Sequence, residues 1–265
     1  MNVVILIPAR FASSRYPGKP LVELKGATGK PKPLIQRSVE AARRIPGVSG
    51  VFVTTDDDRI ADACRPFGVG VIMTSPNCRN GTERCAEALG QLHDPDLIIN
   101  FQGDALLTPP GFVTALIDHM AASPDAMVAT PAMRQRAAEV RALQAEEAAG
   151  RVGGTSVVTA NDGRALYFSK KLIPYLPKGA IDGDLTPVRL HIGVYAYRPQ
   201  ALSTYVSTPA SQLEELEGLE QLRFLAANIQ VDVVEVQTPP FTLRELNNPE
   251  DVLPIEDALA VAGLE

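Results

Sequence analysis

A loop rich in cations and small residues follows the first apolar run of the chain. Residues 8–20 read PARFASSRYPGKP, and their cations are Arg10, Arg15 and Lys19. Guanidinium groups match the geometry of phosphate oxygens, and small residues let backbone N–H groups approach them. The segment contains neither the GxGxxG turn of dinucleotide-binding proteins nor the GxxxxGK[ST] loop of P-loop NTPases, which argues against both classes. We predict a phosphate-binding loop, called the basic loop below; the alternative is an exposed cationic loop.

A second candidate is the carboxylate of Asp104, which follows the apolar run 97–101. Gly103 permits a tight turn directly before it. Ligands of open parallel sheets bind beyond the carboxyl ends of the strands, and the basic loop and Asp104 both follow predicted strands. A carboxylate there can hold Mg²⁺ while the metal also binds phosphate oxygens. The alternative is an aspartate that only forms a turn.

A third candidate is the segment 80–84, which reads NGTER and precedes a predicted helix. The N-terminus of a helix attracts an anion or a base carbonyl, and Gly81 and Arg84 are the residues suited to that contact. Thr82 serves equally well as an ordinary helix cap. The sequence leaves both interpretations open.

Short apolar runs alternate with helical patterns and would position these segments. Predicted strands cover residues 3–7, 51–54, 69–73, 97–101, 126–130, 156–159, 192–197 and 231–236. Predicted helices cover residues 34–44, 59–65, 82–92, 110–122, 137–149, 214–227 and 249–261. The strict strand–helix order of the first half predicts an α/β fold with a mostly parallel, Rossmann-like sheet and helices on both faces.

The second half of the chain is more mixed. The turn sequence Asn161-Asp162-Gly163 lies between two β-prone runs and predicts an inserted β-hairpin. The polar residues 182–187 predict a loop over the site. We interpret residues 1–265 as one domain with an inserted region at about 150–215.

Charge and cysteine usage exclude several classes of protein. The net charge is −6, whereas proteins that hold nucleic acid usually carry a basic excess, so we expect no nucleic-acid partner. The cysteines are three in number and form no CxxC pair, which favours a reduced, cytoplasmic protein. No apolar run approaches the roughly 20 residues that span a bilayer, so we expect no membrane association.

Six motifs occur in an order that resembles one enzyme family. They are PARxxSSRxPGKPL, NGTER, NFQGD, RALYFSK, HIGVYAYR and LEQLRFL. Together they resemble the 3-deoxy-manno-octulosonate (Kdo) cytidylyltransferases, from about residue 3 to about residue 253. The resemblance implies a nucleotidyltransferase domain whose inserted region serves acceptor binding and dimerisation. It implies Mg²⁺-dependent transfer of CMP from CTP to an acidic acceptor, release of pyrophosphate, and a homodimer.

The resemblance also implies residue roles. The catalytic residues would be Arg15, Lys19 and Asp104. The nucleotide would contact Pro8, Ala9, Arg10, Arg15, Lys19, Gly81, Arg84 and Gln102. The acceptor would contact Gln102, His191, Tyr195, Glu220 and Gln221, although a core histidine, aromatic packing and a leucine-rich core or dimer seam are ordinary alternatives for the last four. Asp104 and Asn247 would hold the metal.

The chain departs from the family pattern at several positions. Ala105 stands where the family has a glutamate, Asn247 where it has an aspartate and Ser156 where it has a lysine, and residues 25–32 form a longer loop. The first two changes remove negative charge near the metal, and a neutral ligand binds Mg²⁺ more weakly. A more anionic acceptor, a phosphonate such as phosphonoformate, is one explanation, and a sluggish paralogue is another. The loss of the lysine argues against the phosphonate.

Two further functions remain open at this point. The first is a nucleotidyltransferase that uses another NTP on a sugar phosphate, because that wider class shares the basic loop. The second is a non-catalytic nucleotide-binding protein, which the weakened metal site favours.

Overall fold

The computed structural model describes residues 1–13 and 15–264. Ser14 of the basic loop lies outside the described residues. The chain divides into two compact units, Met1–Thr114 with Pro239–Glu265, and Ala115–Thr238. The sequence-based interpretation of one domain with an insertion at about 150–215 stays a prediction.

The first unit is built on a parallel sheet. The strands of the unit are β1 (Val3–Ala9), β2 (Glu23–Lys25), β3 (Pro31–Pro33), β4 (Gly50–Thr55), β5 (Gly70–Met73) and β6 (Leu97–Phe101). Four of them pair in parallel in the order β5-β4-β1-β6, as the strand–helix order predicts. The remaining two, β2 and β3, form an antiparallel ribbon, and residues 26–30 of the predicted loop 25–32 connect its strands.

The helices follow the predictions closely in the first half of the chain. They are α1 (Leu34–Arg43), α2 (Asp58–Cys64), α3 (Gly81–Ala88), α4 (Pro110–Ala122), α5 (Ala137–Ala148), α6 (Pro199–Ser207), α7 (Gln212–Glu217), α8 (Leu222–Ala226) and α9 (Val252–Ala262). Helix α1 connects β1 to β4, and α2 connects β4 to β5, so both connections run toward one edge of the sheet. Helix α3 connects β5 to β6, which lies on the other side of β1, so this connection runs in the opposite direction. Because such crossovers are right-handed, α1 and α2 lie on one face of the sheet and α3 on the other.

The second unit has a mixed sheet. Its strands are β7 (Val128–Arg136), β8 (Ser156–Thr159), β9 (Ala165–Ser169), β10 (Leu185–His191), β11 (Val194–Tyr197) and β12 (Val231–Val236). The long strand β7 pairs antiparallel with β10 and β11 and parallel with β12. The antiparallel pair β8–β9 confirms the hairpin predicted at residues 161–163, where Gly163 has a φ of +88°.

Three local predictions in the second unit were wrong. Residues 185–187 belong to β10 and are not part of a loop. The predicted strand 192–197 begins only at Val194, because residues 192 and 193 form a bend between β10 and β11. The predicted helix 214–227 is two helices, α7 and α8, because Gly218 ends α7 with a left-handed φ of +59°.

Among the residues that the structure describes, no helix is both long and apolar enough to cross a membrane.

Candidate active site

A cavity of about 350 Å³ opens in the first unit beyond the carboxyl ends of β1 and β6. Every residue predicted to contact the nucleotide or the metal lines it: Pro8, Ala9, Arg10, Arg15, Lys19, Gly81, Arg84, Gln102, Asp104 and Asn247. Sequence reasoning missed Arg79, whose side chain pairs with Glu83 in the first turn of α3. The strand ends and the start of α3 therefore bring the three predicted segments to one place.

The basic loop is held in shape by an aromatic ring and a cation. Gly18 donates its N–H to the Phe11 carbonyl over 2.9 Å, and a Cβ at Gly18 would lie 3.2 Å from the Phe11 ring. Gly18 also has a φ of +72°, which disfavours other residues. The Arg59 guanidinium lies 3.3 Å from the centroid of the Phe11 ring, and Asp57 accepts hydrogen bonds from its Nε and Nη2 atoms. These contacts fix the ends of the segment that carries Arg15.

Asp104 lies at the end of β6 and pairs with a cation of the basic loop. Its Oδ2 atom is 2.5 Å from Lys19 Nζ, and the two side chains are only 16% and 18% exposed. Gly103 permits this approach, because a Cβ there would lie 2.7 Å from the Pro8 carbonyl oxygen. Ser38 of α1 donates a hydrogen bond to the Gly103 carbonyl over 2.7 Å. The aspartate is therefore fixed against the end of β1.

The segment before α9 brings further polar groups to Asp104. The Oδ1 atom of Asn247 accepts a hydrogen bond of 2.8 Å from Arg15 Nη2. Asn247 lines the cavity together with Asp104. The negative charge of Asp104 raises the pKa of Glu245, an exposed residue of the same segment.

These oxygen atoms suit a hard divalent cation. Mg²⁺ is usually held by one or two carboxylates together with substrate phosphates. Asp104 supplies a carboxylate at the cavity wall, and the amide of Asn247 lines the same cavity. Across residues 1–13 and 15–264, no group of three or more His, Cys, Asp and Glu side chains is arranged to hold a metal alone. The residues present therefore fit a cation that shares its ligands with a bound phosphate.

The N-terminus of α3 rests on two amide side chains. Asn80 caps the helix, since its Oδ1 atom accepts from the Glu83 N–H over 2.9 Å; the Thr82 cap suggested by the sequence is wrong. A Cβ at Gly81 would lie 3.0 Å from Gln102 Nε2 and 3.2 Å from Asn100 Nδ2. Gln102 Nε2 in turn donates to Asn100 Oδ1 over 3.2 Å. A side chain at residue 81 would therefore have to displace these amides.

Arg84 extends from α3 toward the ends of β4 and β5. Its side chain is 4% exposed, and its Nη2 atom lies 3.4 Å from Asp56 Oδ1. Its Nη1 atom donates to the Thr74 hydroxyl. The guanidinium is thereby oriented at the cavity wall.

The predicted acceptor residues other than Gln102 lie in the second unit, and His191 is neutral there. Its Nε2 atom lies 2.9 Å from Thr130 Oγ1, and that hydroxyl donates its proton to the Val194 carbonyl over 2.8 Å. This arrangement assigns the ring proton to His191 Nε2 and leaves Nδ1 as an acceptor. Burial lowers the pKa of His191 to about 3, so the ring stays uncharged at neutral pH.

Two more predicted acceptor residues lie beside this histidine. The rings of His191 and Tyr195 have centroids 5.3 Å apart, and Tyr195 donates to Gln221 Oε1 over 3.2 Å. Gln221 is 2% exposed, and within the described part of the chain its Nε2 atom has no hydrogen-bond partner. These three residues are called the acceptor cluster below. The cluster therefore offers two groups for hydrogen bonding: His191 Nδ1, which can accept a hydrogen bond, and Gln221 Nε2, which can donate one.

Some side chains of this region also pack in the hydrophobic core. Tyr195 stacks on Tyr197 at 5.7 Å, and both rings are buried, as the core-packing alternative requires. Glu220 precedes Gln221 in the turn before α8, and its side chain is half-buried. The contact of these residues with an acceptor stays a prediction.

Comparisons of the sequence with known proteins identify a family. The sequence profile described as cytidylyltransferase matches residues 4–233. A 3-deoxy-manno-octulosonate cytidylyltransferase of Maricaulis maris is 38% identical over 99% of both chains. An 8-amino-3,8-dideoxy-manno-octulosonate cytidylyltransferase of Shewanella sediminis is also 38% identical, over 98% of this chain and 100% of that one.

A solved structure extends the comparison to three dimensions. The structure of a CMP:2-keto-3-deoxy-manno-octonic acid synthetase complexed with CTP has a TM-score of 0.84 and 35% identity, covering 99% of this chain and 100% of that chain. The identity and coverage extend over both units, well beyond the motifs of the cavity. The chain therefore belongs to the cytidylyltransferase family of nucleotidyltransferases.

Proposed function

We propose that this protein transfers CMP from CTP to 3-deoxy-manno-octulosonate and releases pyrophosphate, with Mg²⁺ as cofactor. The observation that carries the proposal is the cavity of the first unit, which gathers Arg10, Arg15 and Lys19 beside the Asp104 carboxylate. A triphosphate needs cations and oriented N–H groups, and the metal needs a carboxylate next to them. The relatives that act by name on Kdo or its 8-amino form support the acceptor.

The basic loop performs the first part of this reaction. Arg15 and Lys19 are paired with Asn247 and Asp104 in the structure, so their side chains are ordered before CTP arrives. On binding, the triphosphate oxygens replace these partners, and the cations stabilise the charge that develops on the leaving pyrophosphate. When bound, Mg²⁺ would neutralise phosphate charge; Asp104 would hold it, with Asn247 beside it.

The start of α3 would hold the nucleoside. The amides of Asn100 and Gln102 lie against Gly81, and Arg84 is oriented by Thr74 and Asp56. Amide groups offer both donors and acceptors to a base edge. Gln102 would serve the nucleotide and the acceptor together.

The acceptor cluster would orient the sugar acid. The neutral His191 ring accepts a hydrogen bond from a sugar hydroxyl, and Gln221 Nε2 donates one to a carboxylate or hydroxyl. The acceptor hydroxyl attacks the α-phosphorus, a new P–O bond forms, and the bond to the β-phosphate oxygen breaks. Pyrophosphate leaves with that electron pair, and the hydroxyl proton passes to solvent. Such chemistry rests on positioning and charge neutralisation.

The phosphonate alternative gains no support from the relatives, which are named for Kdo or its 8-amino form.

The experiment is a panel of pyrophosphate-release assays with purified protein. CTP and Mg²⁺ are mixed with Kdo, its 8-amino form, phosphonoformate or no acceptor, and UTP replaces CTP as a control. Release with CTP and Kdo, and a product of the mass of CMP-Kdo, is expected. Release only with the 8-amino acid or only with phosphonoformate reassigns the acceptor. CTP binding without release in any well would favour a non-catalytic nucleotide-binding protein.

The assembly and the location are proposals of the same kind. We propose a homodimer, supported by the leucine-rich segment around Glu220, and light scattering of the purified protein measures its mass. A cytoplasmic location is supported by the odd number of cysteines and the lack of a CxxC pair.

A further inference from the structure

The acceptor cluster is held by a hydroxyl that the sequence did not single out, that of Thr130 on β7. The threonine is fully buried, and its Oγ1 atom lies 2.9 Å from His191 Nε2. We infer that Thr130 is a positioning residue for the sugar acid: its hydroxyl fixes the proton and the orientation of the His191 ring, so that Nδ1 accepts a hydrogen bond from a hydroxyl of the acceptor. The inference rests on the proposed function, which brings the acceptor to His191.

The surroundings of the Thr130 hydroxyl decide which way its proton points. Its Oγ1 atom lies 2.8 Å from the Val194 carbonyl oxygen and 3.2 Å from that of Ile192, and carbonyl oxygens can only accept. A hydroxyl has one proton, so directing it at His191 would leave both oxygens facing the lone pairs of Oγ1. The proton therefore goes to the backbone, and Oγ1 accepts from His191 Nε2.

Strand pairing explains why Thr130 reaches both partners. Strand β7 pairs with β10 at His191, opposite Ala132, and with β11 at Ala196, opposite Ala129. Thr130 lies between these two pairings and therefore faces the bend that joins β10 to β11. Its hydroxyl holds the backbone of this bend and the ring of the histidine directly before it.

Two aromatic neighbours also restrain the His191 ring. Its centroid lies 5.3 Å from that of Phe168, edge to face, and 5.3 Å from that of Tyr195. The hydrogen bonds that the described residues make to the ring end at Nε2, and the residue is partly exposed, so a ligand can reach it. A nitrogen that only accepts favours a hydroxyl over a carboxylate, which has no proton to donate. We therefore expect a sugar hydroxyl at His191, with the carboxylate of the acid placed elsewhere.

The test removes the hydroxyl of Thr130 and keeps the shape of the side chain. In Thr130→Val the Nε2 proton loses its acceptor, so the Nδ1-protonated tautomer should become populated. The KM for Kdo should then rise about tenfold while the KM for CTP stays unchanged. Thr130→Ser restores the hydroxyl and should recover the wild-type tautomer and KM.

Thr186→Val is the matched control. Thr186 is also a buried threonine of the second unit, and its hydroxyl donates to the Gln135 carbonyl over 2.9 Å. Its loss leaves a backbone carbonyl without its donor, as in Thr130→Val, but at a distance from the acceptor cluster. Both the tautomer of His191 and the KM for Kdo should stay at their wild-type values.

Two measurements follow these variants of the full chain. Long-range proton–nitrogen NMR correlation spectra of protein with isotope-labelled histidine report which ring nitrogen carries the proton. The chain has three histidines, and the spectrum of His191→Gln assigns the signal of His191. Steady-state kinetics with CTP, Mg²⁺ and Kdo gives the two KM values.

The outcomes separate the inference from the proposed function. A wild-type ring protonated on Nε2, a shift toward Nδ1 in Thr130→Val and a selective rise in the KM for Kdo support the inference. In an active wild type, a ring protonated on Nδ1 overturns it, and so does an unchanged tautomer or KM for Kdo in Thr130→Val. An equal rise in Thr186→Val, or no recovery in Thr130→Ser, overturns it as well. A wild type that forms no CMP-Kdo overturns the proposed function, and the acceptor role of Thr130 with it.

Discussion

Arg15 of the basic loop donates a hydrogen bond from Nη2 to Oδ1 of Asn247 over 2.8 Å, across 232 residues of sequence. The contact joins the loop that follows β1 to the segment before α9. It explains why an amide at residue 247 is compatible with an ordered cavity, because an uncharged oxygen orients Arg15 without competing strongly with phosphate for it.

Asn247→Asp should tighten the metal site and slow nucleotide entry. The new carboxylate adds a negative ligand beside Asp104, so the Mg²⁺ concentration for half-maximal pyrophosphate release should fall by about two- to fivefold. The same carboxylate forms an ion pair with Arg15, so the KM for CTP should rise. Steady-state kinetics over a matrix of CTP and Mg²⁺ concentrations separates the two effects. An unchanged Mg²⁺ dependence would contradict the placement of residue 247 at the metal.

Gly81→Ala should weaken CTP binding. Its Cβ would meet Gln102 Nε2 at 3.0 Å and Asn100 Nδ2 at 3.2 Å, so the amide pair must shift. We expect about a tenfold loss of affinity, or about 1.4 kcal/mol, measured by calorimetry. Gly90→Ala is the matched control, because no described atom lies within 4 Å of a Cβ there. Equal affinities of the two variants for CTP would remove the amide pair from the nucleotide site.

Arg59→Ala should loosen the basic loop without touching the substrate. The guanidinium covers the Phe11 ring at 3.3 Å, and such cation–π contacts at exposed sites contribute about 0.5–1 kcal/mol. The KM for CTP should rise about two- to fivefold while kcat changes little. Arg65→Ala serves as the control, since Arg65 is an exposed arginine that pairs only with Asp62 among the contacts described. A rise in KM of the same size in the control would show that only net charge matters.

His191 should make the folded state less stable in acid. Burial lowers its pKa to about 3 from an ordinary value of 6.5, so between these values the unfolded chain binds the extra proton. The free energy of unfolding therefore falls as the pH drops from about 6.5 toward about 3, with a contribution of at most about 1.4 kcal/mol per pH unit. Urea unfolding of the wild type and of His191→Gln at several pH values measures this slope, with exposed His93→Gln as control. An identical slope in wild type and His191→Gln would contradict the assignment of an uncharged His191 ring.

The sequence predicted the cavity better than the rest of the fold. The runs that became β1 and β6 are continuous and apolar, and the chemistry of Arg15 and Asp104 follows each of them directly. The strand Leu185–His191 was missed because its local sequence is polar and contains Pro187, and its conformation is set by pairing with β7.

The central claim is tested most directly by the formation of CMP-Kdo from CTP and Kdo in the presence of Mg²⁺, followed by mass spectrometry. The wild type should form the product with one equivalent of pyrophosphate, and Asp104→Ala should form none while its melting temperature stays near that of the wild type. Product formation by Asp104→Ala at the wild-type rate, or CTP binding by the wild type without any product, would contradict the account.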